Sequence, residues 1–236
     1  MAQTALAPAL GSSQEVCWRG MYQTGAIAAL MTVVLFLVQL VAYFVWPPPS
    51  SVAGHFALLQ SRPLVGLLCL DLLILVDEVL AIPLCLALYF SLRRGQQTLM
   101  LLATALEGVS VLGFLLGVPA LNMLHLSQQY TTASTSAQKE ALLAIGETLM
   151  SSSAMQIGYF LGTLGMLFVG WAMLRSQVFS RAAGYVGIVA ALVGFGLYVP
   201  KIGVQLSLLS VVVMQVWYVM IARTLWNLSD RSSLPS

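Results

Sequence analysis

Four acidic residues lie inside long apolar segments of the chain, where a charge is costly. Asp71, Asp77 and Glu78 belong to one such segment, and Glu107 belongs to the next. An ionised side chain at the centre of a bilayer costs at least about 2.5–3.5 kcal/mol on insertion scales. Such residues need a compensating role. Either they hold a proton or cation on a transport path, or they hydrogen bond between helices, and the residues alone leave both readings open.

Glu78 and Glu107 are the first candidates for a proton or cation site. At 1.5 Å per residue, both lie near mid-depth of their predicted helices, which are joined by a short loop. The sequence places no basic residue at that depth, and burial and like charge both favour a neutral carboxyl group. We therefore expect the two carboxyl groups to titrate as one coupled pair.

The other two acids are weaker candidates for the same site. Asp71 and Glu78 are seven residues apart and are expected on one helix face, whereas Asp77 points elsewhere. Lys201, at the start of the last apolar segment, is the candidate ion-pair partner of Asp71.

Histidines and cysteines give little indication of an enzyme. A zinc-dependent hydrolase needs about three protein ligands and an activated water, and the chain has only His55 and His125 as weak candidates. Cys17, Cys69 and Cys85 show no paired spacing and are expected to be small buried hydrophobic residues. We predict no catalytic residue, no metal and no cofactor.

The composition excludes an ordinary water-soluble protein. Of 236 residues, 59% are hydrophobic and 8% are charged, and the mean hydropathy is +0.92. Soluble domains carry about 25% charged residues. The net charge of +2 is too small and too scattered to indicate nucleic-acid binding. The expected partner is the lipid bilayer, and a membrane-protein partner or a second copy of the chain remains open.

Six apolar segments come close to or exceed the length of about 20 residues that a membrane-spanning helix needs. Pro47, Pro48 and Pro49 end the first segment, and Pro200 separates the last two into a tight hairpin. The predicted fold class is therefore all-α, a polytopic transmembrane helical bundle over 21–226. A disordered tail (1–20) and a second tail (227–236) flank it. The predicted spans are 21–46, 64–92, 98–126, 154–174, 182–199 and 202–226.

The basic residues predict the orientation of the bundle. Seven fall on one side of the six spans and three on the other, so the positive-inside rule makes both termini cytoplasmic. We therefore expect a multi-pass protein of the cytoplasmic membrane. The seven are Arg19, Arg93, Arg94, Arg175, Arg181, Arg223 and Arg231, and the three are Arg62, Lys139 and Lys201.

The two long loops lie on the outer side in this arrangement. The first, 47–63, contains a short apolar stretch, 52–59, that could lie along the interface. The second, 127–153, is predicted to form an amphipathic helix before the fourth span, resting on the bilayer or capping the bundle. Its apolar residues are Leu142, Leu143, Ile145 and Leu149, opposed by Gln138, Lys139, Glu140 and Glu147.

Glycines recur at spacings of three, four or seven residues within the spans. Such spacing places them on one helix face, where they allow two helix backbones to approach closely. We predict that they pack helices together and do not bind a ligand. They are Gly113, Gly117, Gly158, Gly162, Gly165, Gly184, Gly187 and Gly194.

Several segments resemble a bacterial family of multi-span membrane proteins, domain-of-unknown-function family 4386. Residues 174–181 (LRSQVFSR), followed by Gly184 and Gly187, are similar to its Arg-Ser turn and glycine-bearing span. Residues 217–226 resemble its closing helix, residues 19–30 its opening segment, and Glu107 its third-span acidic position. The resemblance implies a bacterial cytoplasmic-membrane protein. It supplies no activity, because the family is itself uncharacterised.

Two function classes follow from these features, with a third less favoured. The first is a small proton- or cation-coupled transporter, which should present a polar cavity lined by Glu78 and Glu107. The second is a non-transporting membrane scaffold or accessory subunit, which should seal those carboxyl groups between helices. A metal-dependent membrane hydrolase is the third.

Overall fold

The computed structural model describes residues 6–231 and is all-helical over that range. This confirms the predicted fold class at the level of secondary structure. The described part of the chain contains nine α-helices and one 3-10 turn, Phe195–Tyr198. The helices are α1 Leu6–Val45, α2 Val52–Ser61, α3 Pro63–Leu68, α4 Leu72–Gly117, α5 Ala120–Thr132, α6 Ser136–Met150, α7 Ser153–Arg175, α8 Arg181–Gly194 and α9 Gly203–Arg231.

Five helical segments are long and apolar enough to cross a membrane. They expose large apolar side chains that would be costly in water, such as Phe44, which is 90% exposed, and Leu116, which is 77% exposed. The five segments are Arg19–Val45, Leu72–Thr132, Ser136–Arg175, Arg181–Tyr198 and Gln205–Asp230.

The long helix α4 is broken at Gln96, whose φ of −143° and ψ of 43° are not helical. Buried residues from both sides of the break, including Leu88 and Met100, belong to one hydrophobic core. The two parts of α4 therefore pack against the same neighbours, and the chain turns back at Gln96, within the loop predicted between the second and third spans.

Two helix boundaries differ from the bounds predicted for the spans. The second span was expected over 64–92, but α3 ends at Leu68 and α4 starts at Leu72, because Asp71 has a left-handed φ of 62° that a helix cannot accommodate. The third was expected over 98–126. Its helix ends at Gly117, since Val118 is extended before Pro119, which has no N–H to continue the ladder.

The predicted tails also differ from the structure. Helix α1 begins at Leu6, so helical backbone extends into the predicted tail 1–20. Helix α9 continues to Arg231, into the predicted tail 227–236. Residues 1–5 and 232–236 lie outside the described residues.

The chain divides into two compact units. Unit 1 comprises the residues up to Val33, Leu80–Gly108 and the chain from Gly162 onward. Its core contains Ala87, Met173 and Ile221. Helices α8 and α9 pack directly on each other as a hairpin around Pro200, and the Ser210 hydroxyl donates a hydrogen bond to the Ala190 carbonyl oxygen at 2.8 Å.

Unit 2 comprises Val34–Val79 and Val109–Leu161. Its four short helices α2, α3, α5 and α6 pack together, and we call them the helical cap. The cap buries Phe56 and Leu59 of α2 against Met123 of α5. The stretch 52–59, expected along the interface, forms most of α2, and four of its residues are buried: Val52, His55, Phe56 and Leu59.

The predicted amphipathic helix is present as α6. It starts with a capping box, in which the Thr135 hydroxyl accepts from the Gln138 backbone N–H and the Gln138 side chain accepts from the Thr135 N–H. Leu142, Leu143 and Leu149 pack on the core of the cap, whereas Ile145 is 49% exposed.

Candidate functional site

A cavity of about 380 Å³ lies within unit 2, and we call it the Asp71 cavity. It is lined by the end of α1, the α1–α2 connection, α2, the turn between α3 and α4, the α4–α5 connection, and the end of α6 with the start of α7. Its polar lining residues are Tyr43, His55, Cys69, Asp71, Ser152 and Gln156. Gly117, Pro48, Pro49, Pro119, Leu70, Met150 and Met155 complete the lining.

Asp71 is the only acidic residue among the described residues of this lining. Its left-handed backbone reverses the chain between α3 and α4, a conformation that aspartate tolerates better than most residues. The Asp71 side chain does not cap α4, although the residue occupies the N-cap position. Its carboxylate instead accepts a hydrogen bond from the Tyr43 hydroxyl. The strained backbone thus places a carboxylate in the cavity, as strained residues often do at functional sites.

The end of α1 is fixed to α3 by two further polar contacts. The Gln39 amide donates to the Leu68 carbonyl oxygen at 2.9 Å, and the Cys69 thiol donates to the Trp46 carbonyl oxygen at 3.4 Å. Pro47 follows directly and cannot extend the helix, because proline has no backbone N–H. These contacts hold Tyr43 at the cavity.

His55 lines the cavity from α2 and is 2% exposed. Burial lowers the pKa of His55 below its usual value, and this outweighs the opposing effects of the Pro49 carbonyl and the Asp71 carboxylate. The ring is therefore neutral at pH 7. Its buried Nδ1 has no hydrogen-bond partner among the described residues, so this cavity-lining residue has a ring nitrogen left for a ligand.

The charge of the cavity suits a small cation. The described residues that line it include one carboxylate, one neutral imidazole, one thiol, two hydroxyl groups and one amide, and neither arginine nor lysine. Oxygen atoms and a neutral ring nitrogen are groups that stabilise a positive charge. A cation entering the cavity would have the Asp71 carboxylate as its counter-ion.

Contrary to the prediction from sequence, Asp71 does not lie within a helix together with Glu78. Because Asp71 precedes the helix in a left-handed conformation, its spacing of seven from Glu78 does not place the two on one helix face, and that prediction is wrong. Glu78 lies only about 9 Å along α4 from Leu72, because the helix starts eight residues later than expected. Asp77 is half-buried on the same helix.

Glu107 and Lys201 both lie in unit 1, whereas Glu78 and Asp71 belong to unit 2. The pairing of Glu78 with Glu107 and the ion pair of Lys201 with Asp71 therefore stay predictions. A Cβ atom added at Gly165 would lie 3.6 Å from the Glu107 carboxylate oxygen Oε2, so Glu107 packs on the backbone of α7.

The histidines do not form a pair. His55 is buried in the cap, whereas His125 is exposed on α5 and lies within hydrogen-bonding distance of the Gln129 amide nitrogen, at 3.0 Å. Over the described ranges, no three histidine, cysteine or acidic side chains come close enough together to hold a metal ion.

The sequence predicted neither Tyr43 nor His55 as a residue of the Asp71 cavity. It did not single out Tyr43, and it indicated His55 only as a weak candidate metal ligand. The available signal was local: Tyr43 stands four residues before three consecutive prolines, and His55 stands six residues after them. These features define an all-helical chain with several apolar helices and a polar cavity. Comparison with protein-family models, curated proteins and solved structures finds no match.

Proposed function

We propose that the chain is a six-span protein of the cytoplasmic membrane with both termini inside. The break at Gln96 supports two spans in α4, Leu72–Gly117, because a continuous helix of 46 residues would be about 69 Å long, twice what a bilayer needs. One span in α1, two in α4 and one each in α7 (Ser153–Arg175), α8 and α9 make six spans. Reporter fusions after Arg94, Gly117 and Arg231 test it, and opposite sides for Arg94 and Arg231 would refute it.

We further propose that the protein is a small proton- or cation-coupled transporter in which Asp71 is the cation-binding carboxylate. The observation that carries this proposal is a carboxylate, oriented by Tyr43, in a cavity whose described lining has no basic residue. The site expected from sequence at Glu78 and Glu107 is then a separate protonatable position. Neither of these residues is among the described residues that line the Asp71 cavity.

Ion flux into proteoliposomes tests transport directly. A gradient of sodium, potassium or tetramethylammonium is imposed, and an internal pH dye reports proton movement. Wild type and the control E140Q, whose acid is exposed on α6 outside the cavity, should move protons under at least one gradient. D71N should not, because an amide carries no charge to balance a cation. E78Q and E107Q should fold and lose proton coupling.

A scaffold or accessory subunit remains the second candidate, and one observation favours it. Glu107 packs on the Gly165 backbone, which is the arrangement expected of an acid that joins helices. Proteoliposomes in which wild type moves no protons under any of the three gradients would favour this function over transport. A metal-dependent hydrolase has no assembled ligand set among the described residues to support it.

A further inference from the structure

A second cavity, of about 250 Å³, lies within unit 1, and we call it the arginine cavity. Four separate parts of the chain line it: α1, α4 just before the Gln96 break, the connection between α7 and α8, and the end of α9. The lining includes Tyr22, Phe90, Arg93, Arg94, Val178 and Leu228. Tyr22 lies near the start of the apolar segment Arg19–Val45, and the other lining residues lie near the Gln96 break, near the end of α9 or in the turn between α7 and α8.

The charge of this cavity is opposite to that of the Asp71 cavity. Two guanidinium groups line it, and the described lining residues include no carboxylate. Arg93 is held over the Phe90 ring at 4.8 Å, which orients its planar head. A guanidinium group presents paired N–H donors that match the oxygens of a phosphate.

The volume of the arginine cavity and its apolar lining residues further restrict the class of ligand. Cavities that hold a drug-sized molecule measure about 300–1,000 Å³, so 250 Å³ accommodates a phosphate group more readily than a nucleotide. Val178, which is 37% exposed, and Leu228 add apolar surface beside the two arginines. Arginines beside apolar surface at helix ends are the arrangement that binds anionic lipid headgroups.

We propose that the arginine cavity binds the phosphodiester of an anionic lipid headgroup. In this arrangement Arg93 and Arg94 donate hydrogen bonds to the phosphate oxygens, the Tyr22 hydroxyl completes the polar side, and Val178 and Leu228 contact the start of the acyl chains. The bound lipid would join α1, α4 and α9 at one end of unit 1 and stabilise their packing.

The melting temperature of the purified full-length protein in neutral detergent tests this proposal. It is measured with added phosphatidylglycerol, phosphatidylcholine or inorganic phosphate. Wild type should be stabilised by phosphatidylglycerol at concentrations where the other two have little effect. R94Q should weaken the apparent affinity for phosphatidylglycerol about tenfold, as expected for loss of about 1.4 kcal/mol of binding. R94K keeps the positive charge but lacks the planar guanidinium group. Its apparent affinity for phosphatidylglycerol should lie between those of wild type and R94Q.

R223Q is the matched control, because Arg223 is exposed on α9 outside the lining and the substitution removes the same charge. It should retain the affinity of wild type. Equal effects of phosphatidylcholine and phosphatidylglycerol, or equal losses in R94Q and R223Q, would overturn the proposal. Stabilisation by inorganic phosphate at the concentrations where phosphatidylglycerol acts would show a free-anion site and overturn the lipid assignment.

Discussion

The hydroxyl of Tyr43 donates a hydrogen bond to the carboxylate of Asp71, joining the last turn of α1 to the residue that precedes α4. The two residues are 28 positions apart, and Asp71 reaches this contact through a left-handed backbone. This hydrogen bond therefore links two of the segments that line the Asp71 cavity. It also orients the carboxylate that we assign to cation binding.

Replacing Tyr43 with phenylalanine should destabilise unit 2 without emptying its core. The ring is kept, and the carboxylate loses a donor, so we expect the free energy of unfolding to fall by about 1–3 kcal/mol. Denaturant titration in mixed micelles measures the change. Y185F is the control, because Tyr185 is 60% exposed on α8, and a loss of similar size there would contradict the assignment.

Substitutions at Asp71 should separate its backbone role from its charge. D71N should fold nearly as well as wild type, since asparagine also adopts the left-handed region. D71V should lose about 1–3 kcal/mol, because a β-branched residue at a φ of 62° is strained. The melting temperatures of D71N and D71V, compared with that of wild type, test these two expectations. Equal stability of D71V and D71N would show that the strained turn is not maintained.

Glycine contacts between α4 and α7 should tolerate no side chain. A Cβ atom added at Gly158 would lie 2.9 Å from the Ser110 carbonyl oxygen, and one added at Gly113 would lie 2.8 Å from the Gly158 Cα. We expect G113A and G158A to lower stability by about 1–3 kcal/mol, because backbone atoms cannot move aside. G108A is the matched control, since a Cβ there meets nothing within 4 Å. The melting temperatures of G113A and G158A should therefore be lower than that of wild type, whereas that of G108A should be close to it.

Stability should fall as the pH drops below about 6.5. The folded-state pKa of His55 is lowered by burial, so between that value and the usual 6.5 the unfolded chain binds more protons than the folded one. The contribution of neutral His55 is complete above pH 6.5 and is lost toward the lower folded pKa. H55Q should flatten the pH dependence of the melting temperature, whereas H125Q, at an exposed position on α5, should not. An unchanged slope in H55Q would contradict a buried neutral ring.

Most of the helices could be predicted because their signals are local. The long apolar segments, the three prolines after Trp46 and the Thr135–Gln138 capping box each determine structure within a few residues. The close approach of Gly113 and Gly158 also follows from glycine spacing, because only small residues let helix backbones come so near.

The Asp71 cavity could not be predicted in the same way. Apolar residues continue on both sides of Asp71, so composition gives no sign that the helix stops there and the backbone turns left-handed. The burial of His55 depends on α2 packing against α5, about 70 residues further along the chain, which no local pattern records. A carboxylate and a histidine that are separate in sequence therefore line one cavity.

The melting temperature of the purified protein in a series of chloride salts tests most directly whether Asp71 binds a cation. Lithium, sodium, potassium and tetramethylammonium salts are compared at equal ionic strength, and a bound cation raises the melting temperature by mass action. We predict that wild type and E140Q melt higher in at least one of these salts than in the others, and that D71N loses the difference. Identical melting of wild type in all four salts, or a difference that persists in D71N, would contradict the cation site.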